Sequence, residues 1–358
     1  MAVPQRPPLC FIFVIINYMK LLITGGAGFI GSNFVQFWRK HHSDDQLVVL
    51  DKLTYAGNLS SLNSVKNEIE FIEGDIADPE IVRQAMSGVD CVVHFAAESH
   101  VDRSIQDPYI FTRSNVLGTH VLLETARQLK ISRFHHISTD EVFGEIPLNQ
   151  TWKFTEATPY NPNSPYSASK AAADHMVRAY HKTFGLPISI SNCSNNFGPF
   201  HYPEKFIPRS IIRLINGEKI RLYSPGDQVR DWLYVEDHCR AIEAILLKGE
   251  IGETYCIGGL ANGISNREVA EKILQIMGLS HERIEFVTDR PGHDAKYDID
   301  WSKIHRTLDW QPQHTFDDRL KQTVEWYKTN ASWWEPLANE SEQFYKIAGE
   351  KILEKPEQ

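Results

Sequence analysis

The run KLLITGGAGFIGSNFVQFWRKHHSDDQLVVLD, residues 20–51, decides the fold of this chain. Lys20 to Thr24 is a short apolar run of the kind that makes a fully buried strand, and Gly25, Gly26, Gly28 and Gly31 punctuate the turn after it. Phe29 to Trp38 carries a helical pattern, and Gln46 to Leu50 is a second buried strand ending on Asp51. The glycines have separate tasks. Gly26 is expected to take the tight turn, Gly28 to admit a pyrophosphate close to the backbone, and Gly31 to let the helix lie against the sheet. The unpaired N–H groups of the first helical turn then face the phosphate charge. Asp51 follows Gly31 at the spacing of roughly 20 residues that places an acid against an adenosine ribose, where it repels a 2′-phosphate and so selects NAD over NADP.

Onward from Asp51, Ile69 to Glu73 reads as a third strand, after which Asp75 is placed to meet an adenine amino group and Ile76 to cover a ring face. A solvated strand end is the competing reading of Asp75. Pro79 to Met86 is a helix with proline in its first turn. Asp90 to Ala97 is a fourth strand whose small Ala96 and Ala97 leave room for a cofactor, and Glu98 to Ser104 is a polar loop. A helix is expected from about Ile110 to Leu129. Asn115 and Gly118 inside it cost helix stability and call for a packing or ligand reason. The fifth strand, Phe134 to Ser138, delivers Thr139, Asp140 and Glu141 to the same carboxyl edge, as an acid–base pair or as solvated carboxylates. Ile188 to Asn192 is the sixth strand.

These elements predict an α/β protein: a Rossmann-type doubly wound parallel sheet with a smaller C-terminal substrate domain. The expected division is a dinucleotide-binding domain over 19–192 with 237–259 returning to it, and a substrate domain over 193–236 and 260–337. Helices are expected around Ile207 to Ile215, Val269 to Met277 and Asp317 to Tyr327, the last of these being the last clear helix, with a Glu- and Lys-rich peripheral tail over 338–358.

Length and composition agree with this picture. The 358 residues are 42% hydrophobic and 23% charged, as in an ordinary globular protein large enough for two unequal domains. A net charge of -9 gives no general support for nucleic-acid or anionic-membrane binding and leaves room for a local basic pocket. The five cysteines are scattered without a CxxC pair, which favours a reducing cytoplasm and core packing over a metal site or disulfides. The apolar stretch Leu9 to Ile16 is far short of the roughly 20 residues that span a bilayer and lacks the flanks of a signal peptide. Residues 1–18 therefore read as an N-terminal extension, with an edge strand or dimer contact as the competing reading.

The most informative spacing is Tyr166 and Lys170, four apart on one face of a helix that follows Asn161-Pro-Asn-Ser-Pro165. A phenol with an ordinary pKa near 10 is a poor base at neutral pH, and an adjacent ammonium favours its phenolate. Such a tyrosine takes a hydroxyl proton while hydride leaves the same carbon. Together with the glycine loop and Thr139, the pair resembles the extended short-chain dehydrogenase/reductase superfamily. More narrowly, Phe95 to Ile105, Ser138 to Gly144 and Arg290 to Asp294 look like those of the dTDP-glucose 4,6-dehydratases, a resemblance covering about residues 19–337. Asp140-Glu141 is its most specific element, because epimerases that move hydride only at C4 need no such pair.

That resemblance implies NAD as cofactor, with Gly25, Gly28, Phe29, Ile30, Gly31, Asp51, Lys52, Thr54 and Asp75 in contact with it. Further along, Ile76, Ala96, Ala97, Ser99, Ser114, Tyr166, Lys170 and Asn196 complete the set. The sugar nucleotide would be surrounded by His100, Thr139, Asn195, Lys205, Arg230, Asn262, Arg290, His293 and Tyr297. Arg230 and Arg290 suit the diphosphate, since a guanidinium fork satisfies phosphate oxygens in pairs. The implied catalytic set is Thr139, Asp140, Glu141, Tyr166 and Lys170, acting on dTDP-glucose in a homodimer. The turn Tyr223-Ser-Pro-Gly-Asp227 departs from the family's glycine-rich pattern and leaves thymidine against uridine open. The rival functions are a UDP-glucose 4,6-dehydratase, a sugar-nucleotide 4-epimerase that retains O6, and a non-catalytic NAD-responsive binding protein.

Overall fold

The computed structural model describes residues 18–353 except 261, 262, 290 and 291, with side chains as far as 343. The expected N-terminal extension and Cys10 therefore lie outside the described residues, as do Asn262 and Arg290. In chain order the first half comprises β1 (Lys20–Thr24), α1 (Phe29–His41), β2 (Gln46–Asp51), β3 (Glu70–Glu73), α2 (Pro79–Ala85) and β4 (Cys91–His94). Then come α3 (Val101–Gln106), α4 (Pro108–Phe111), a π-helical turn over Thr112–Gly118, α5 (Thr119–Leu129), β5 (Arg133–Thr139), α6 (Pro165–Phe184) and β6 (Ile188–Cys193). The second half holds β7 (Asn195–Phe197), α7 (Phe206–Ile215), β8 (Ile220–Tyr223), β9 (Val229–Arg230), β10 (Trp232–Tyr234), α8 (Val235–Lys248) and β11 (Thr254–Ile257). It ends with β12 (Ile264–Ser265), α9 (Asn266–Met277), β13 (Ile284–Val287), α10 (Ser302–Leu308), α11 (Phe316–Thr329) and α12 (Ala331–Leu353).

Seven strands form one parallel sheet in the order β11-β6-β5-β4-β1-β2-β3. Its central strands are apolar on both sides because helices cover both faces. Leu22, Leu50, Val92 and Phe134 point to the side of α2, α5 and α6. Ile23, Val49 and Val93 point to the side of α1 and α8, where Phe34, Trp38 and Ile242 meet them. The reversal of strand order at β1 and β4 leaves a crevice at the carboxyl edge, the place where such sheets bind ligands.

A second core lies outside the sheet. Ile207 and Ile211 of α7, Val269 and Ile273 of α9, and Leu320 and Tyr327 of α11 pack together there. Three two-stranded pairs, β7 with β10, β8 with β13 and β9 with β12, border it. Residues 235–257 belong with the sheet: Cys239 and Ile242 of α8 pack beneath it, and β11 pairs with β6.

Several elements differ from the sequence reading. The positive φ of the glycine turn falls on Gly25 (+71°), not on Gly26. Gly25 donates from its N–H to Leu50 O at 2.8 Å, and a Cβ on it would stand 2.5 Å from Ala96 N, so the chain reverses while wedged between two strand ends. Gly26 is closed to a Cβ by Val49. The loop Val101 to Gln106 is helical, and the helix expected from Ile110 is divided by the π-turn. Asn115 and Gly118 have packing reasons. Asn115 Nδ2 donates to Glu98 O at 2.9 Å and to Ser169 Oγ at 2.8 Å, and a Cβ on Gly118 would press on Ile76 at 2.6 Å. Beyond α11 the chain continues as α12, with Trp334 buried in the second core and Glu342 paired to Arg209 at 3.1 Å.

A Cβ on Gly31 would be driven into the Gly25 carbonyl oxygen, a backbone atom that cannot move aside. Gly31→Ala should therefore destabilise the protein by about 1–3 kcal/mol. A denaturant titration reads this directly, and a midpoint equal to that of the unsubstituted protein would contradict the packing.

Candidate active site

A cleft of about 990 Å³ runs from the glycine loop, across the carboxyl ends of β1, β4 and β5, to β8 and β13. Every expected cofactor residue lines it, as do His100, Thr139, Glu141, Asn195, Lys205, Arg230, His293 and Tyr297. Asp140 does not reach its surface. That carboxyl is 1% exposed and connects to the cleft through Thr139 Oγ1, 3.4 Å from its Oδ1.

The dinucleotide end is built from backbone. Gly28 is the N-cap of α1 and supplies no side chain to its first N–H groups, which leaves them for an anion. Asp51 is buried at the end of β2, where its Oδ2 accepts from Ala27 N and its Oδ1 from Leu53 N, both at 2.9 Å. Burial raises its pKa, and the N–H donors of Leu53, Ala27 and Lys52 oppose the rise. With lone pairs to spare beside these two bonds, the carboxylate fits ribose hydroxyls. Asp75 is more occupied than the sequence implied. Its Oδ2 lies 2.9 Å from Lys52 Nζ and 2.5 Å from Arg113 Nη1, and its Oδ1 accepts from Ala77 N. Burial pushes this carboxyl up, but the Ala77 N–H and the two cations outweigh it and hold it below its usual range. Ile76 stands beside it in the wall.

The reactive centre forms where β5 meets α6. Ser164 Oγ accepts from Ser167 N at 3.1 Å and Ser167 Oγ from Ser164 N at 3.0 Å, a reciprocal cap worth about 1 kcal/mol. Pro165 follows it, so Tyr166 enters the cleft from the first turn of α6 and Lys170 from the next. At the end of β5, Thr139 Oγ1 accepts from Glu141 N at 3.3 Å and caps a short 3₁₀ turn over Asp140–Phe143.

Electrostatics here depart from the sequence expectation. Burial pushes the Tyr166 phenol well above its ordinary value, Glu141 and Cys193 add to the rise, and the hydrogen bond with Thr139 opposes it. Lys170 was expected to lower that phenol, yet its ammonium donates to Ile137 O at 2.7 Å. Burial also raises Asp140 far above the carboxylate range, with Glu141 and then Asp231 adding to it. Asp140 is thereby driven toward its neutral, proton-carrying form, the state a general acid needs.

At the other end, Arg230 Nη2 donates to Asp294 O at 2.9 Å and its guanidinium lies 4.2 Å over the Tyr297 ring. Tyr297 OH donates to Asp294, and His293 Nδ1 lies 2.7 Å from Asp289 Oδ1. Lys205 Nζ donates to Ser99 O at 2.9 Å, joining the second core to the sheet. Asn196 turns its amide to Ser194 O and to His238. The sequence reading missed a buried set in the wall: Arg103 Nε pairs with Glu204 at 2.9 Å while its guanidinium lies 3.7 Å over the Tyr55 ring. Glu204 stands next to Lys205, and that adjacency was the one available signal. No group of ligands suited to a metal ion occurs among the described residues. The four described cysteines are free and buried.

Comparison with known proteins follows the same lines. A family model described as GDP-mannose 4,6 dehydratase matches residues 22–323. The dTDP-glucose 4,6-dehydratase of Mycobacterium tuberculosis is 48% identical over 333 residues, covering 93% of this chain and 100% of that protein. The dTDP-glucose 4,6-dehydratase of Escherichia coli is 48% identical over 342 residues, covering 88% of this chain and 94% of that protein. Among solved structures, DesIV, the dTDP-glucose 4,6-dehydratase from Streptomyces venezuelae with NAD and TYD bound, superimposes with a TM-score of 0.86 at 46% identity, covering 89% of this chain and 100% of DesIV.

The raised pKa of Asp140 has a thermodynamic consequence. A carboxyl whose folded pKa exceeds its unfolded value near 4 costs stability as pH rises from that value through the folded one. Asparagine carries no proton to lose. Asp140→Asn should therefore gain thermal stability relative to the unsubstituted protein at pH 7, and the gap should narrow as pH falls toward about 4. A gap independent of pH would contradict the buried, protonated acid.

Proposed function

The chain belongs to the GDP-mannose 4,6 dehydratase family, and from that membership we propose that it converts dTDP-glucose to dTDP-4-keto-6-deoxyglucose and water, with NAD as its cofactor. The observation that carries the reading is the pair of carboxyls Asp140 and Glu141 set against Tyr166, with Glu141 acting on the protonation of both. The identity of 48% to dTDP-glucose 4,6-dehydratases over most of the chain supports it. The sheet unit is assigned to the cofactor and the second core to the sugar nucleotide. The uncapped start of α1, the Gly25 turn and the buried Asp51 carboxylate fit a pyrophosphate and a ribose without a 2′-phosphate.

NAD, when bound, supplies a cationic ring able to accept hydride from C4 and return it to C6, so no net oxidation results. Tyr166 takes the O4 proton, with Thr139 hydrogen-bonded to the phenol and opposing the rise in its pKa, and Lys170, one turn along α6, adds a positive charge to the same site. A ketone at C4 makes the C5 proton acidic, because its loss gives an enolate. Glu141, on the cleft wall, removes that proton. Asp140, driven toward its protonated form by burial and by Glu141, supplies a proton through Thr139 Oγ1, its link to the cleft, to the departing O6, which leaves as water. Glu141 returns a proton to C5 when C6 has been reduced. Arg230, which lines the cleft, is assigned the diphosphate together with Arg290 of the sequence reading, and His293, also in the lining, is assigned to the sugar nucleotide.

The enzyme is assigned to the cytoplasm as a homodimer. No helix among the described residues is long and apolar enough to cross a membrane, and the buried free thiols suit a reducing compartment.

Incubation of the purified protein with NAD and dTDP-glucose should yield a sugar nucleotide lighter by one water in mass spectrometry, and UDP-glucose should react more slowly. A product of unchanged mass would indicate an epimerase. Tyr166→Phe should lower turnover by about 10²–10⁴-fold and suppress the transient absorbance of reduced nicotinamide. Retention of that absorbance at the unsubstituted rate would require another base at C4.

A further inference from the structure

Asp174 lies one turn beyond Lys170 on α6, fully buried, and its carboxylate joins the elements that carry the proposed chemistry. Its Oδ2 accepts from Ser138 Oγ on β5 at 2.7 Å, from Tyr160 OH at 2.8 Å and from Asn192 Nδ2 on β6 at 3.4 Å. Its Oδ1 lies 3.1 Å from His136 Nε2. Asn192 Nδ2 also donates to Thr139 O at 3.2 Å, so the residue before Asp140 is held from the same net. One side chain thus fixes the carboxyl ends of β5 and β6 to the helix bearing Tyr166.

A buried charge is costly unless another balances it. The groups facing Lys170 are Tyr166 and Asp174 on its own helix, His94 on β4, His136 on β5 and Cys193 on β6. Burial keeps both histidines neutral, pushing His136 down to about 4, and it pushes the Cys193 thiol up to about 12. The Tyr166 phenol is raised in the same way. Asp174 is therefore the anion in this set, its carboxyl held low because the contact with His136 first, then Lys170 and the Ser138 hydroxyl, together outweigh the effect of burial. Arg178, the other cation close by, spends its guanidinium on Thr254 Oγ1 at 2.8 Å and Tyr160 OH at 3.1 Å.

We propose that Asp174 is a positioning residue for the reaction, tying β5 and β6 to α6 and supplying the counter-charge that keeps Lys170 an ammonium ion. This rests on the reading that Tyr166 and Lys170 carry the oxidation at C4. Burial lowers the pKa of Lys170 and Asp174 raises it. Loss of the carboxylate charge lowers that pKa further, so the ammonium is lost at lower pH.

The test is the pH profile of single-turnover C4 oxidation, followed as reduced-nicotinamide absorbance with dTDP-glucose and NAD. Asp174→Asn should move the alkaline decline to lower pH by about one unit or more, and Asp174→Glu should restore it. Asp174→Ser, which leaves room for a water in the net, is the second neutral variant should the asparagine protein fail to fold. A loss uniform across pH, with the decline unmoved in the neutral variants, would overturn the counter-charge and leave Asp174 a structural residue. Failure of the unsubstituted protein to reduce NAD with dTDP-glucose would overturn the proposed function and this inference with it, an outcome distinct from the former.

Discussion

Burial of Asp140 beside Glu141 is the constraint from which the rest of the site follows. A carboxyl taken out of water next to a second carboxyl is driven toward its neutral form, because both desolvation and like charge penalise the anion. Its neighbour, open to the cleft, has no such enclosure. Chemistry that must remove a proton from one carbon and deliver one to a leaving oxygen on the next needs two groups in opposite states at the outset. In this chain the two carboxyls are adjacent and β5 ends just before them: Thr139 is its last residue, and a short 3₁₀ turn that starts at Asp140 carries both past the sheet edge.

Everything around the pair serves to hold that edge in place. The carboxyl ends of β5 and β6 are pinned by buried polar contacts, and the reciprocal Ser164–Ser167 cap sets the start of α6, hence the height at which Tyr166 enters. The glycine turn does the same for the dinucleotide end. Gly25 and Gly31 leave no space for a side chain, so the start of α1 lies as close to the sheet as backbone allows. The second core closes the cleft from the opposite side, joined to the sheet by Lys205 to Ser99 and by Arg103 to Glu204.

Much of this was legible in the sequence, and the exceptions have physical causes. Strands β1, β2 and β4 are short, nearly unbroken apolar runs because helices bury both faces, and that pattern is visible without coordinates, while β5 and β6 are as buried but carry His, Ser and Asn among their apolar residues. Strand β11 is only Thr254–Ile257 and follows a helix without a turn signal beyond glycine, so it was not separated from its surroundings. Helix α3 has six residues and a polar composition, which reads as loop. The part of α12 beyond Leu337 was taken for a tail because its Glu- and Lys-rich composition masks the burial of Ser341 and the pairing of Glu342 with Arg209. The site residues on motifs were found because strand ends and helix starts fix them locally. Asp174, Tyr55, Arg103 and Glu204 escaped because their partners are distant in sequence, and only folding shows that the carboxyls of Asp174 and Glu204 are buried. The direction of the Tyr166 shift was missed for a related reason: spacing reveals the nearby ammonium but not the depth of burial or the opposing charge of Glu141.

The central claim is the division of labour between the two carboxyls, and Glu141→Gln tests it most directly. In deuterated water, a single turnover of dTDP-glucose by the unsubstituted protein should give dehydrated product with solvent deuterium at C5. The glutamine variant should still reduce the bound NAD, because Tyr166 is intact, yet incorporate no deuterium at C5 and release no water. Deuterium incorporation by that variant at the unsubstituted rate would contradict Glu141 as the C5 base and, with it, this account of the site.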